Sequence, residues 1–305
     1  MKKLIIDTDP GHDDALALML IFKSGKFDIK AVTTVAGNST IQNVTKNARA
    51  ILNLVDEKNV PVFSGQANPI KRSLIKAVVH GDSGLDGLDV SQIEPRLTGN
   101  ADDKIIGLVK KYPGQIRILT LGPLSNIARA FIKEPKLASL VKEIVIMGGA
   151  INVCGNKNRV AEFNMFVDPE AAEVVFKAEV KKILIPLDPC NEVVVPLSCF
   201  ENLRGGKLYQ PLVKMMKKFK AGLGKELKIK GVLVYDAIAA YYLIKPTVFD
   251  LKDMDVVIET KGEHTFGMTV AEKRERVVRN FNVCVAMKVD KKAFIKDYFE
   301  ILKKR

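Results

Sequence analysis

Four aspartates fall within eight residues, Asp7, Asp9, Asp13 and Asp14, between two apolar runs. The first run is Leu4-Ile5-Ile6; the second begins at Ala15 and extends to Phe22. A short apolar run, a Pro-Gly turn and a longer apolar run read as buried strand, turn and buried helix. The acids then sit at the C-terminal end of a strand and the N-terminal end of a helix. In a parallel α/β sheet, ligands bind at that rim. Residues two apart on a strand share a face, so Asp7 and Asp9 can point the same way. Asp13 and Asp14 lie where a helix macrodipole favours negative charge. Capping and a polar turn account for one or two acids. Clustered carboxylates repel unless protons or cations intervene. A hard cation that takes oxygen ligands, Ca²⁺ or Mg²⁺, is the economical answer for four.

The remaining chain repeats this layout. Ile29 to Ala36 reads as a buried strand, followed by a helix to about Val55 with Asn38 or Ser39 as its cap. Ile116 to Leu121 is a strand, and Pro123 fits the first turn of the helix after it. Ile144 to Met147 is another strand. Asp168 and Pro169 read as N-cap and first residue of an amphipathic helix. Ile183 to Leu187 closes the series. From Asn191 the pattern is mainly helical, with Leu208 to Phe219 amphipathic and Tyr235 to Tyr242 a buried helix. Strand character returns at Val256–Ile258, Thr265–Val270 and Val277–Val289, before a last helix over about 292–302. Successive βα units predict one α/β domain around a mainly parallel, Rossmann-like sheet with helices on both faces. Residues 64–100 are rich in Gly, Pro, Asp and Ser. Within them, Val79 to Gly87 reads either as a flexible flap beside a site or as a plain surface loop.

Composition removes several classes. The chain has 305 residues and is 47% hydrophobic, enough for a sizeable core. It has no apolar run of membrane-spanning length and no signal-peptide core after Lys2-Lys3, which makes the cytoplasm the expected compartment. Cys154, Cys190, Cys199 and Cys284 fit neither a zinc motif nor a redox pair and read as structural thiols. The net charge is +13. Its Lys and Arg are scattered, with concentrations from Lys207 to Lys230 and at the C-terminus. Neither stretch interleaves aromatics as a nucleic-acid stacking platform does, so a solvated basic surface is expected.

The stretch Asp7-Thr8-Asp9-Pro10-Gly11-His12-Asp13-Asp14-Ala15 resembles the N-terminal signature of the inosine–uridine-preferring nucleoside hydrolase family. The resemblance continues, in the family's order, through Thr34 to Asn38, His80 to Gly84 and Gly122 to Asn126. It then runs through Met147-Gly148-Gly149, Ala161 to Asn164, Asp168 to Ala172 and Gly267 to Val270. It implies the nucleoside hydrolase fold and Ca²⁺-dependent hydrolysis of ribonucleosides to ribose and free base in nucleoside salvage. It also implies a homo-oligomer, dimer or tetramer.

Residue roles follow from the same resemblance. Asp9, Asp14 and Asp236 are implied Ca²⁺ ligands, with Leu121 ligating through its carbonyl and Asp7 supporting the cluster. Asp9 is the implied general base for a water nucleophile. Asp13, Asn156, Glu162 and Asn164 are implied to hold the ribose hydroxyls, with Asn38 and Met147 nearby. Those residue types suit N-glycosidic cleavage, which builds positive charge on the sugar. His80 resembles the base-side His of pyrimidine- or inosine-preferring members. Tyr235 departs from the pattern: many members have His before the last metal-binding Asp. A tyrosine is a weaker acid at neutral pH. Uridine and cytidine are the expected substrates, with inosine next. Two other readings compete. One is a Mg²⁺-dependent phosphohydrolase using Asp7-Thr8-Asp9, as in the haloacid-dehalogenase type. The other is a protein that binds Ca²⁺ and a nucleoside without turnover.

Overall fold

A computed structural model describes residues 1–224, 229–275 and 277–304. The first strand, β1 (Lys2–Thr8), is apolar on both faces and lies inside the sheet. Leu4 and Ile6 join a core shared with helices on one face, while Ile5 joins the core on the other. Alternation of side chains on a strand buried on both faces produces this split. β1 is followed by α1 (His12–Ser24), in which every residue from His12 to Ile21 is buried. A helix apolar around its whole girth belongs between a sheet and further helices. Gly25 ends it in the left-handed conformation, at φ 63°.

The chain continues through β2 (Phe27–Thr34), α2 (Ile41–Leu54), β3 (Val62–Ser64), α3 (Ala101–Lys111), β4 (Arg117–Thr120), α4 (Ser125–Lys133) and α5 (Leu137–Leu140). Next come β5 (Glu143–Met147), α6 (Phe163–Val167), α7 (Pro169–Lys177), β6 (Lys182–Ile185), α8 (Leu187–Cys190) and the short β7 (Val194–Val195). The last part holds α9 (Tyr209–Gly222), β8 (Val232–Leu233), α10 (Tyr235–Ile244), β9 (Phe249–Met254), β10 (Val256–Ile258), β11 (Thr269–Ala271), β12 (Val283–Val289) and α11 (Lys291–Leu302). Among the described residues the main sheet has eight strands, ordered β3-β2-β1-β4-β5-β6-β12-β9. All neighbours pair in parallel except β9, which runs antiparallel to β12 at the edge. Helices α1, α9, α10 and α11 cover one face, and α3, α4 and α7 the other. None of the described helices is long and apolar enough to cross a membrane.

The single α/β domain with a mainly parallel sheet is as the sequence predicts. Local details differ. Thr40, not Asn38 or Ser39, caps α2, accepting from the Asn43 N–H at 3.3 Å. Asn38 is instead drawn onto the aspartates. Pro123 precedes α4 rather than occupying its first turn, because that helix starts at Ser125. The strand expected from Val277 begins at Val283, and the one expected from Thr265 is confined to Thr269–Ala271. Helix α3 and the edge strand β9 were not anticipated. Part of the basic Lys207–Lys230 stretch, residues 225–228, lies outside the described residues.

Asp168 caps α7 as expected, with Pro169 at its first position. Its Oδ1 accepts from the Ala171 N–H at 3.1 Å, and its Oδ2 from the Ile70 N–H at 2.9 Å and the Ser125 hydroxyl at 2.5 Å. One carboxylate thus ties the 64–100 segment to two helices. Asp168→Ala would remove a cap and orphan two further donors. It is expected to lower unfolding free energy by about 3 kcal/mol, read by urea denaturation, with Asp168→Asn losing less. A loss within experimental error would show that the three contacts are not coupled to folding.

Candidate active site

The C-terminal ends of β1, β2, β4 and β5 meet the N-termini of α1 and α10. There the fold opens a cavity of about 230 Å³, lined among others by Asp13, Asn38, His80, Leu121, Met147, Asn156, Glu162, Asn164, Tyr235 and Asp236. It therefore gathers ten of the twelve candidates named from the sequence. The other two, Asp9 and Asp14, are fully buried beside it.

The acids are arranged by the packing of α1 against α10. Oxygens of Asp13, Asp14 and Asp236 lie within 4.8 Å of one another. Asp9 stands next to this trio, linked to it by Asn38. The Asn38 backbone N–H donates to Asp9 Oδ2 at 2.6 Å, and its side-chain amide donates to both the Asp9 carbonyl and Asp14 Oδ2 at 3.1 Å. Asp14 also accepts from the Thr8 hydroxyl at 2.5 Å and the Gly11 N–H at 2.9 Å. The backbone crowds Asp9: a Cβ on Gly37 would stand 2.2 Å from its Oδ2, and one on Gly122 would stand 2.6 Å from its Oδ1. Only glycine allows that approach.

Burial is the main force on every one of these acids. It lifts Asp13 to about 8 and raises Asp9, Asp14 and Asp236. For Asp9, Asp13 and Asp236 the charge of Asp14 adds to the effect. Among the described residues no Lys or Arg forms an ion pair with them, and the one ring within ion-pair range is His80, 3.9 Å from Asp13. Asp9 Oδ1 and Asp13 Oδ1 are buried without any hydrogen-bond partner. Orphaned carboxylate oxygens in an all-oxygen cluster fit a hard divalent cation. The donor set does not distinguish Ca²⁺ from Mg²⁺.

Asp7 sits deeper. Its Oδ1 accepts from Thr33 at 2.5 Å and from the Asn126 amide at 2.7 Å, and burial lifts it to about 7. Asn126 also donates to the Thr34 carbonyl and accepts from the Gln66 N–H. Asp7 is thus a braced internal group.

The opposite wall comes from the 148–164 segment. Glu162 caps α6; Oε1 accepts from the Asn164 N–H, and Oε2 from the Gly149 and Met165 N–H groups. Burial lifts it to about 7 against those lowering bonds. The Asn164 amide reaches the Leu121 carbonyl at 2.7 Å and the Met147 carbonyl at 3.2 Å. Asn156 is exposed at the mouth, its Oδ1 held by the Phe163 N–H at 2.8 Å.

Rings and apolar groups form the remaining side. The Tyr235 hydroxyl donates to Asn191 Oδ1 at 2.9 Å, and burial holds its proton well above the usual phenol range. His80 is buried, and burial with His12 beside it lowers its ring to about 3, so the ring is neutral. The Val79–Gly87 loop does lie beside the site. Its glycines serve close packing: a Cβ on Gly87 would meet the Met215 backbone of α9 at 2.9 Å. Phe219 of α9 completes this wall, and the fully buried His12 of α1 stacks on it. Neither was assigned a role from sequence, because their partners are distant in the chain.

The family model described as inosine-uridine preferring nucleoside hydrolase matches residues 4–296. The pyrimidine-specific ribonucleoside hydrolase RihA of Salmonella paratyphi C is 35% identical over 96% of this chain and 95% of its own length. Among solved structures, the plant nucleoside hydrolase PpNRh1 superposes with a TM-score of 0.93 at 29% identity, covering 100% of this chain and 99% of its own. The purine-preferring ribonucleoside hydrolase from Gardnerella vaginalis gives 0.91 at 26% identity, over 99% and 98%. The chain therefore belongs to the inosine–uridine preferring nucleoside hydrolases, enzymes that cleave the N-glycosidic bond of ribonucleosides.

Proposed function

We propose that this enzyme is a cytoplasmic, Ca²⁺-dependent hydrolase of nucleoside salvage that acts as a homo-oligomer. Its preferred substrates are uridine and cytidine, with inosine next. The observation that carries the reading is a buried, unneutralised carboxylate cluster opening into a cavity with hydrogen-bonding groups on one side and rings on the other. The preference for pyrimidines is supported by the name of the 35%-identical relative, pyrimidine-specific, against the purine-preferring structure at 26%.

Asp9, Asp14, Asp236 and the Leu121 carbonyl would hold the ion. When bound, it supplies Lewis-acid activation of water near neutral pH. Asp9 Oδ1, buried and without a partner, takes the proton from the attacking water as general base. Gly37 and Gly122 keep that carboxylate in one position. Asp13, Asn38, Asn156, Glu162 and Asn164 hold the ribose hydroxyls, and Met147 packs beneath the sugar. Fixing both hydroxyls presents the anomeric carbon for attack. The surrounding carboxylates stabilise the charge that grows on the ring as the base leaves. His80 contacts the base. Tyr235 keeps its proton at neutral pH and turns its hydroxyl from Asn191 to the departing base.

Free-base release from a panel of ribonucleosides and their 2′-deoxy forms tests the reading. Release is expected with calcium and is abolished by chelation. The deoxy forms should be slower by at least about tenfold, the value of one charge-assisted hydrogen bond. Saturable nucleoside binding without release would overturn the proposal, and a purine-only profile would overturn the base preference.

Two substitutions divide the machinery. Asp9→Ala should lower kcat by about 10³-fold, as for loss of a general base, in a stopped assay of base release. Tyr235→Phe should slow release by about tenfold, the loss of one hydrogen bond in the transition state. Calcium affinity by calorimetry should stay unchanged. An unaltered rate removes Tyr235 from the reaction.

A further inference from the structure

Asn47 stands in the middle of α2, fully buried, and the mechanism above does not use it. An asparagine inside a helix and away from water is unfavourable unless its amide is engaged. Its Nδ2 lies 3.0 Å from the Pro10 carbonyl oxygen and 3.0 Å from the Ser83 carbonyl oxygen. Carbonyl oxygens only accept, so the two amide hydrogens point at these atoms and the orientation of the amide is fixed. The Oδ1 on the other side is buried without a hydrogen-bond partner. The side chain is therefore placed by what it donates.

The two acceptors belong to segments far apart in the chain. Pro10 follows Asp9 in the turn that carries the acids. Ser83 lies three residues beyond His80 in the 79–87 loop. Asn43, one turn earlier on the same face of α2, donates to the Asp82 carbonyl at 3.2 Å. One helix face thus holds two successive carbonyls of the loop, and Asn47 reaches the acid turn as well. That turn has independent supports. The Asn38 amide holds the Asp9 carbonyl at 3.1 Å, Asp14 holds the Gly11 N–H at 2.9 Å, and the Leu121 N–H holds the Asp7 carbonyl at 2.8 Å. Within the loop, the Gly84 N–H donates to the Gly81 carbonyl and the Asp86 N–H to the His80 carbonyl. Those bonds are internal and leave the height of the loop above the turn open.

We infer that Asn47 is a positioning residue for nucleobase binding: it sets the height of the His80 loop over the acid turn from a place outside the cavity lining. Without its two donors, the acids keep their own bonds, while His80 loses its fixed separation from Asp13, 3.9 Å. The tie stands on geometry alone. Its effect on the base rests on the nucleoside hydrolase reading and on the place of His80 in it.

Asn47→Leu keeps the bulk of the side chain and removes both donors. In the full, calcium-loaded protein, amide hydrogen exchange of residues 79–88 should quicken by at least about tenfold, the value of one hydrogen bond. Exchange of residues 7–16 should stay as it was. An unchanged loop, or equal quickening of both segments, overturns the tie whether or not the enzyme releases base. With uridine, Asn47→Leu should raise KM by about tenfold and leave kcat within about twofold. In a His80→Ala background the same substitution should add no further rise in KM, because it acts through His80. A full tenfold rise in that background, or a fall in kcat at unchanged KM, overturns the positioning role. If uridine releases no base, the nucleoside reading fails and hydrogen exchange alone decides the tie. Asn47→Ser, which leaves room for water at the two carbonyls, should shift exchange in the same direction by less. Failure of both variants to fold overturns the proposal, since Asn47 would then be a requirement of folding.

Discussion

Carboxylates that repel one another are held together out of water, and the rest of the structure answers to that constraint. At 4.8 Å, two unit charges in a protein of effective dielectric 20 repel by about 3.5 kcal/mol, and Asp13, Asp14 and Asp236 form three such pairs. The fold offsets part of this cost by local means. Asp13 and Asp14 sit in the first turn of α1 and Asp236 in the first turn of α10, so two helix macrodipoles point their positive ends at the cluster. Thr8, Gly11 and Asn38 supply hydrogen bonds. Oxygens of Asp9 and Asp13 remain without partners, and a cation meets that deficit.

Holding the cluster requires bracing well outside the cavity. Asn126, on α4, joins Asp7 of β1, the Thr34 carbonyl of β2 and the Gln66 N–H beyond β3. Three neighbouring strands are locked in relative height at the rim where the acids emerge. Asp168 performs a similar service on the other side, joining α4, α7 and the 64–100 segment. Glu162 fixes the cavity wall opposite the acids, both its oxygens accepting from backbone N–H groups. These are long-range ties, and they explain why so many polar side chains are buried around one small cavity.

Much of this was legible in the chain. The parallel sheet followed from repeated βα patterns, because a strand buried on both faces must be continuously apolar. The N-terminal acid cluster followed from its spacing, and the place of Asp236 beside it from the family resemblance. Other features were not legible, for identifiable reasons. Asn38 was legible as a rim residue beside the acids, but its capping reading fails because its partners are 24 and 29 residues away. The His12–His80–Phe219 stack unites three segments whose contact depends on how α9 lies across α1. Helix α3 follows a long Gly- and Pro-rich stretch that masked its start. Strand β9 has a mostly exposed pattern, the mark of an antiparallel edge rather than of the buried interior.

Tyr235 and Asp236 are neighbours at the head of α10; both line the cavity, and Asp236 joins the acids. Because one helix end carries both, the identity of residue 235 can drift while the helix goes on delivering Asp236 to the same point. The residue beside the acids is thereby decoupled from the acids themselves in heredity, though the two are adjacent in space. A lineage with this scaffold can exchange that cavity-lining residue in a single codon step, without passing through an ancestor that has lost its acidic centre.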